Sequence, residues 1–420
     1  MDDTTQQRDS ALALMILVVA SGLAFAFYTP IWPPDLAALY FAARLAHEGQ
    51  LAEIYTAKEQ IFSGNMPPSW ADLATRLGHP DQTAYPYIYP PFWARVFAPL
   101  VGALAPFAFF KAVFAVQLVL LIGAILATRQ IMSAQTIPAS LWALICAATL
   151  AVSTIGFGAL VQNQPQITVT CLVVFSLLRL KQGGAVSAGL LLALAAAIKL
   201  TPILLLLLFA VEREWRAAAT TLAALVAFAV ASALMIPAEL HAQFFAQLDN
   251  VQAILPMMPL NFSLQTFLGW LIAGEQMQIF ARSVTVVIWV KPAWLDPLGL
   301  ALMIAGLAAT FWVTRTLGDD DRYRIRPFAA LLLIYSTGPL GWSHYYLPLL
   351  FCLPGLMVIF PLRLGAGLAV LFALGWSYAL HQRFMALDPQ GGLVLSWNVA
   401  LLCTFLAMLW MAALQMGRRS

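Results

Sequence analysis

Charge is what this chain has least of. Lysine, arginine, aspartate and glutamate together make up 10% of its 420 residues, while 62% are hydrophobic, against roughly 25% charged in ordinary soluble domains. That shortage excludes a soluble globular protein and leaves a polytopic membrane protein. The net charge is only +3, with the basic residues scattered at the ends of apolar runs, so no stripe for nucleic acid is present and none is expected as a partner. Only four cysteines occur, Cys146, Cys171, Cys352 and Cys403, all inside apolar runs and without C-x-x-C spacing. They read as small buried residues, not as a disulfide framework. His344 has no second histidine at metal-ligand spacing, so no metal is expected. Neither a P-loop nor a Rossmann glycine fingerprint is present, which leaves a soluble sugar nucleotide without a ready-made pocket. Tandem repeats and the inverted halves of secondary transporters are missing too.

What is there is a succession of apolar runs near the roughly 20 residues that span a bilayer as a helix. They begin with Ala11 to Tyr28 and end with Leu393 to Met411, and about twelve crossings are expected. No intervening stretch is long enough for its own core, so residues 1–420 are read as one membrane-embedded domain. The first run contains a small-x-small Ala24-Phe25-Ala26, but Asp2, Asp3 and Asp9 precede it against a single Arg8. An acidic start argues for a retained helix, not a cleaved signal.

Charge then sets the sidedness. With a cytoplasmic N-terminus, Arg129, Arg179, Lys181, Arg213, Arg216, Arg322, Arg324, Arg326, Arg363 and the C-terminal Arg418 all fall inside, as the positive-inside rule requires. The expectation is a multi-pass protein of the inner or plasma membrane with both termini cytoplasmic. The opposite, extracytoplasmic face receives a first loop (29–90), Gln162-Asn163-Gln164, Lys199, a second segment (237–294), Trp342-Ser343-His344-Tyr345-Tyr346 and His381-Gln382-Arg383. Two stretches stay ambiguous: 202–211 is short for a crossing and is re-entrant in the other reading, while Phe262 to Trp289 is read as an interfacial helix pair.

Candidate chemistry gathers on that face. In the first loop, Leu36, Leu39 and Ala43 with Arg44 describe an amphipathic helix lying along the membrane and stopping at Gly49. Asp35 immediately precedes it, and two readings stand side by side: a helix N-cap or a reactive carboxylate. Tyr85-Pro86-Tyr87-Ile88-Tyr89-Pro90-Pro91 is either an interfacial belt or an aromatic sugar platform. Lys199, followed by Thr201-Pro202, is a snorkelling lysine or a phosphate anchor. Arg95, Arg282, Lys291 and Arg383 are weaker cations of the same kind. His344 is placed to donate to phosphate or sugar hydroxyls. Asp319-Asp320-Asp321, beside arginines on the inner side, reads as a solvated turn.

Taken in order, these residues resemble glycosyltransferase family 87 (GT87), multi-spanning GT-C enzymes that use polyprenyl-phosphate sugars. Asp35, Tyr40, Ala43, Gly49 and Ile54-Tyr55 look like its first-loop pattern, and Tyr87-Ile88-Tyr89-Pro90-Pro91 like its Tyr-x-Tyr-Pro-Pro. Lys199 before Pro202, Asn261-Phe262-Ser263 and Trp342-Ser343-His344-Tyr345 are similar to later motifs. Asn163-Gln164-Pro165-Gln166 departs from the family's Gly-Gln-x-Asn.

The resemblance implies an all-α GT-C fold and an inverting hexosyltransferase. Such an enzyme moves a sugar, mannose being the expected one, from a polyprenyl phosphate to a lipid or glycan hydroxyl without metal or cofactor. It implies Asp35 as base, Lys199, His344 and Arg95 on the donor phosphate, and Tyr40, Tyr87, Tyr89, Gln164, Asn261 and Trp342 around sugar and acceptor. The rival reading is a lipid or sugar transporter or flippase, which would place its charges at mid-membrane on broken helices.

Overall fold

The structure is a computed structural model that describes residues 3–55, 66–273 and 287–418. Among the described residues its regular elements are helices, apart from a two-stranded antiparallel ribbon in which Ile254–Met257 pairs with Val287–Val290. Among the described residues, five helices are long and apolar enough to cross a membrane: Thr4–Tyr28, Pro106–Ile131, Trp215–Met235, Leu295–Val313 and Gly392–Gly417. Shorter apolar helices lie between them, among them Ala139–Val152, Ala185–Ile198 and Leu362–Gly375. The need for lipid is plain on Trp215–Met235, where Leu222, Val226, Val230 and Leu234 project outward at four-residue spacing, Leu234 with 83% of its surface exposed. A stripe that apolar has no place in water.

Proline sets many of the boundaries. Pro34, Pro68, Pro91 and Pro106 each open a helix, where the ring pre-sets φ and the missing N–H costs nothing. The apolar run from Pro138 to Gly158 breaks at Ser153 into Ala139–Val152 and Thr154–Val161. Ser153 has extended backbone, and its hydroxyl accepts from Gly156 N at 3.0 Å. The short 202–211 stretch winds as a 3₁₀ turn, Thr201–Leu205, into the helix Leu206–Val211.

One expectation changes here. The helix Pro34–His47 does not lie along a membrane with a wet face: Leu36 to Leu45 are almost all buried. It packs on Pro91–Ala103 in a second core with Trp32, Trp70, Phe109 and Phe110. Five alanines among its fourteen residues allow that close approach, and aromatic neighbours fill the volume. Of the stretch from Phe262 to Trp289, read as a helix pair, the described residues include the helix Leu264–Ala273 and the strand Val287–Val290, while 274–286 lie outside the described residues. Arg282 lies outside the described residues.

At its N-terminus, Asp3–Tyr28 is tied into the bundle by Asp9. Its carboxylate accepts from Ala139 N at 2.6 Å and Ser140 N at 3.1 Å, capping the neighbouring helix. An anion there meets both the free N–H groups and the helix dipole.

Candidate active site

A cavity of about 650 Å³ opens between the first-loop core and the bundle, within the range of roughly 300–1,000 Å³ common for ligand sites. Asp35 lies on its wall. It sits in the first turn of Pro34–His47 but bonds none of the helix's free N–H groups, the cap position being Pro33. The cap reading therefore falls away, and the carboxylate faces the cavity with protein closed around its other sides. Tyr85 N donates to Pro34 O at 3.1 Å, pinning the aromatic loop beside it.

Lys199 comes to the same cavity from the break between Ala185–Ile198 and Thr201–Leu205. Its backbone is extended, with its N–H on Ala195 O, and Trp93 Nε1 donates to the neighbouring Ala197 O at 2.7 Å. The ammonium lies 4.0 Å above the Tyr345 ring, a cation–π contact that steadies a cation kept from water. Burial pushes the Asp35 carboxyl up to about 7, although the Lys199 charge and a bond from Gln164 oppose it. Burial likewise brings the Lys199 ammonium down to about 7 against the pull of Asp35.

Gln164 is aimed by Asn163, which takes a left-handed backbone at φ 46° and donates from Nδ2 to Phe110 O at 2.9 Å. Asn is one of the few non-glycine residues that tolerates this region. The turn that a glycine would make is thus kept where the sequence departs from the family pattern. Gln164 Oε1 accepts from the Tyr89 hydroxyl at 3.2 Å.

Asn261 carries the other wall. Its Nδ2 donates to Pro256 O at 3.0 Å and Pro339 O at 3.1 Å, and its Oδ1 accepts from Gly341 N at 2.7 Å. Phe262 N to Gly341 O and Ser343 N to Leu260 O complete the clamp. A Cβ on Gly341 would lie 2.8 Å from both Ser263 N and Tyr335 O, so only glycine fits there. The clamp presents Trp342, Ser343 and His344 to the cavity, where His344 Nε2 is buried without a protein partner.

Asp35, Lys199, His344, Tyr89, Gln164 and Trp342 thus share one cavity. Four sequence candidates do not line it. Tyr40 is buried in the first-loop core with its hydroxyl on Leu104 O at 2.8 Å. Tyr87 is fully buried and bonded to Pro90 O at 2.9 Å. Asn261 acts from behind the wall, and Arg95 is on the exposed side of Pro91–Ala103. Lys291 pairs with Asp296 at 2.7 Å.

Tyr85, Gln162, Tyr345, His381 and Gln382, which the sequence offers only as members of outer-face segments, also line the cavity, and the structure adds Tyr378. Tyr85 had a signal of its own: Tyr85 with Ile88, and Pro86 with Tyr89, reach the cavity three residues apart, the repeat of a polyproline helix and not of a strand. Among the described residues no group of three or more histidines, cysteines or carboxylates stands close enough to hold a metal ion.

A carboxylate, an ammonium and an imidazole lining one cavity can take a proton at the first and hold an anion at the other two. No curated protein is similar enough to match the chain. The model of glycosyltransferase family 87 matches residues 87–337, more than half of the sequence; the match takes in Tyr89, Gln164 and Lys199 of the cavity wall and leaves out Asp35, Tyr85 and His344. The chain belongs to that family of glycosyltransferases.

Proposed function

We propose that this protein transfers a hexose, mannose by its family resemblance, from a polyprenyl phosphate to a hydroxyl of a lipid or glycan acceptor at the extracytoplasmic face of the membrane. The observation that carries the reading is the single carboxylate, Asp35, facing Lys199 and His344 in one cavity. Asp35 removes the proton from the acceptor hydroxyl while that oxygen attacks the anomeric carbon. The bond from anomeric carbon to phosphate oxygen breaks, and its electron pair leaves with the polyprenyl phosphate. Lys199 and the open Nε2 of His344 meet the charge that grows there. One base and one departing anion on opposite sides of the sugar make the transfer inverting.

Apolar residues of the wall, Phe157, Val161, Met258 and Leu260, suit the lipid portion of the donor. No metal and no organic cofactor enters this scheme. Tyr89 and Gln164 already form a bonded pair on the wall, and Trp342 adds an aromatic face for the sugar.

The test is transfer of radiolabel from a panel of polyprenyl-phosphate sugars into lipid extract by purified protein. Wild type is expected to move label from one hexose donor. Asp35→Asn is expected to lose about 10²- to 10⁴-fold in turnover, the usual worth of a general base, while still binding donor. Full activity in Asp35→Asn would end the mechanism. Lipid binding without transfer in either protein would point to a transporter or flippase instead.

A further inference from the structure

The cavity has a second polar wall that the transfer chemistry leaves idle. It belongs to the helix Tyr378–Leu387, beyond the stretch matched by the family model. This helix leaves its neighbour Thr154–Val161 from a shared anchor: Ser153 and Ser377 form an antiparallel bridge, and Thr154 N donates to Trp376 O at 2.9 Å. Both serines also cap their own helices. The Phe157 and Tyr378 rings then meet at 4.6 Å. With its start held this firmly, the register of the helix is fixed.

Tyr378, His381, Gln382, Met385 and Ala386 are spaced i, i+3, i+4, i+7 and i+8, one helical face, and all five line the cavity. His381 is the helix's one buried residue, with 9% of its surface exposed, and among the described residues nothing hydrogen-bonds its ring. Burial holds its imidazole down to about 4, so at neutral pH it is uncharged and offers one donor and one acceptor. No charged side chain of this helix reaches the cavity; Arg383 is exposed and points elsewhere. A neutral imidazole, an amide and a tyrosine ring match hydroxyl groups and offer no counter-charge to phosphate. One turn further on, the face becomes apolar at Met385 and Ala386.

We propose that Tyr378, His381 and Gln382 form the acceptor subsite and bind the hydroxyls of an uncharged sugar headgroup whose apolar aglycone runs along Met385 and Ala386. Naming the ligand as acceptor rests on the transferase reading; the binding itself does not.

The experiment uses the full-length protein in lipid nanodiscs with octyl hexosides as probes and the free hexoses in parallel. Wild type is expected to bind an octyl hexoside saturably and the free hexose about tenfold or more weakly. His381→Ala and Gln382→Ala are each expected to weaken octyl hexoside binding about tenfold. His381→Gln, which restores a neutral donor and acceptor, is expected to recover most of it, and Arg383→Ala to change nothing. In the transfer assay the same alanine variants raise the acceptor KM while leaving the donor KM and kcat in place, a split that a merely structural role would not give. Gln382 is exposed at the mouth, so its variant decides the matter if His381→Ala does not fold. Unchanged binding in these variants, or no octyl hexoside binding by wild type, would overturn the subsite. Hexoside binding that depends on His381, without transfer from any donor, would leave the subsite standing and remove the reaction instead.

Discussion

Asp35 and Lys199 are each displaced by burial toward neutrality, one from below and one from above, and this makes the pH dependence of the reaction a test of their roles. A carboxyl raised to about 7 is protonated at pH 5 and cannot act as base, so kcat/KM is expected to fall as pH drops below 7. An ammonium lowered to about 7 is neutral at pH 9, so kcat/KM is expected to fall again on the alkaline side. The two limbs belong to the pair, not to either residue alone. A bound phosphate holds the ammonium charged, which should move the alkaline limb upward in kcat relative to kcat/KM. Lys199→Arg keeps the cation at every pH and should erase the alkaline limb while leaving the acid one; a limb that survives this change would belong to another group. At this scale the sequence was generous with the scarce residues. An aspartate, a lysine and a histidine in an oily chain are few enough to pick out. It was poor with tyrosine, because Tyr40, Tyr87 and Tyr89 are alike as letters. Only packing separates the ring buried against Phe109 and Phe110 from the one that bonds Gln164.

Elements position these groups through backbone clamps more than through long helices. Asn261 is fully buried and serves four backbone partners, Pro256 O, Pro339 O, Gly341 N and Ser263 N. Each left unpaired costs about 1–3 kcal/mol. Asn261→Ala is therefore expected to destabilise the protein by about 3 kcal/mol or more and to lower kcat by loosening the Trp342–His344 turn. A thermal melt in detergent beside the transfer assay checks both, and a variant with wild-type melting and turnover would show that the clamp does not hold the wall. The motif was visible in the sequence as Asn-x-Ser, but its purpose was not, since two of its four partners, Pro339 and Gly341, lie 78 and 80 residues away. A still longer separation hid the helix break at Ser153, whose stabilising bridge is with Ser377. Proline-led helix starts, by contrast, were legible because their cause is local.

Over the whole molecule, the polar turns sort to two ends. Lys181 pairs with Asp320 at 2.8 Å and donates to Ile131 O, Arg324 donates to Met132 O, and Arg326 is held by Glu212 at 2.7 Å. The basic turns around 131, 181, 212 and 320 are thereby stitched into one end. Asp35, Gln164, Lys199, His344 and His381 meet in the cavity, and none of these basic turns contributes to it. This partition was legible in the charge pattern, because apolar crossings of whole-helix length leave polar residues nowhere else to go. On the positive-inside rule we propose that the stitched end faces the cytoplasm and the cavity the outside. Cysteine labelling in intact cells tests it. Three native cysteines are buried and Cys403 lies on an apolar helix, so the background to a membrane-impermeant maleimide is expected to be low. Gln382→Cys should react from outside without permeabilisation, and Gly318→Cys only after it. The reverse pattern would turn the protein over and place the acceptor chemistry in the cytoplasm, where a polyprenyl-phosphate sugar would have to present its headgroup to the other leaflet.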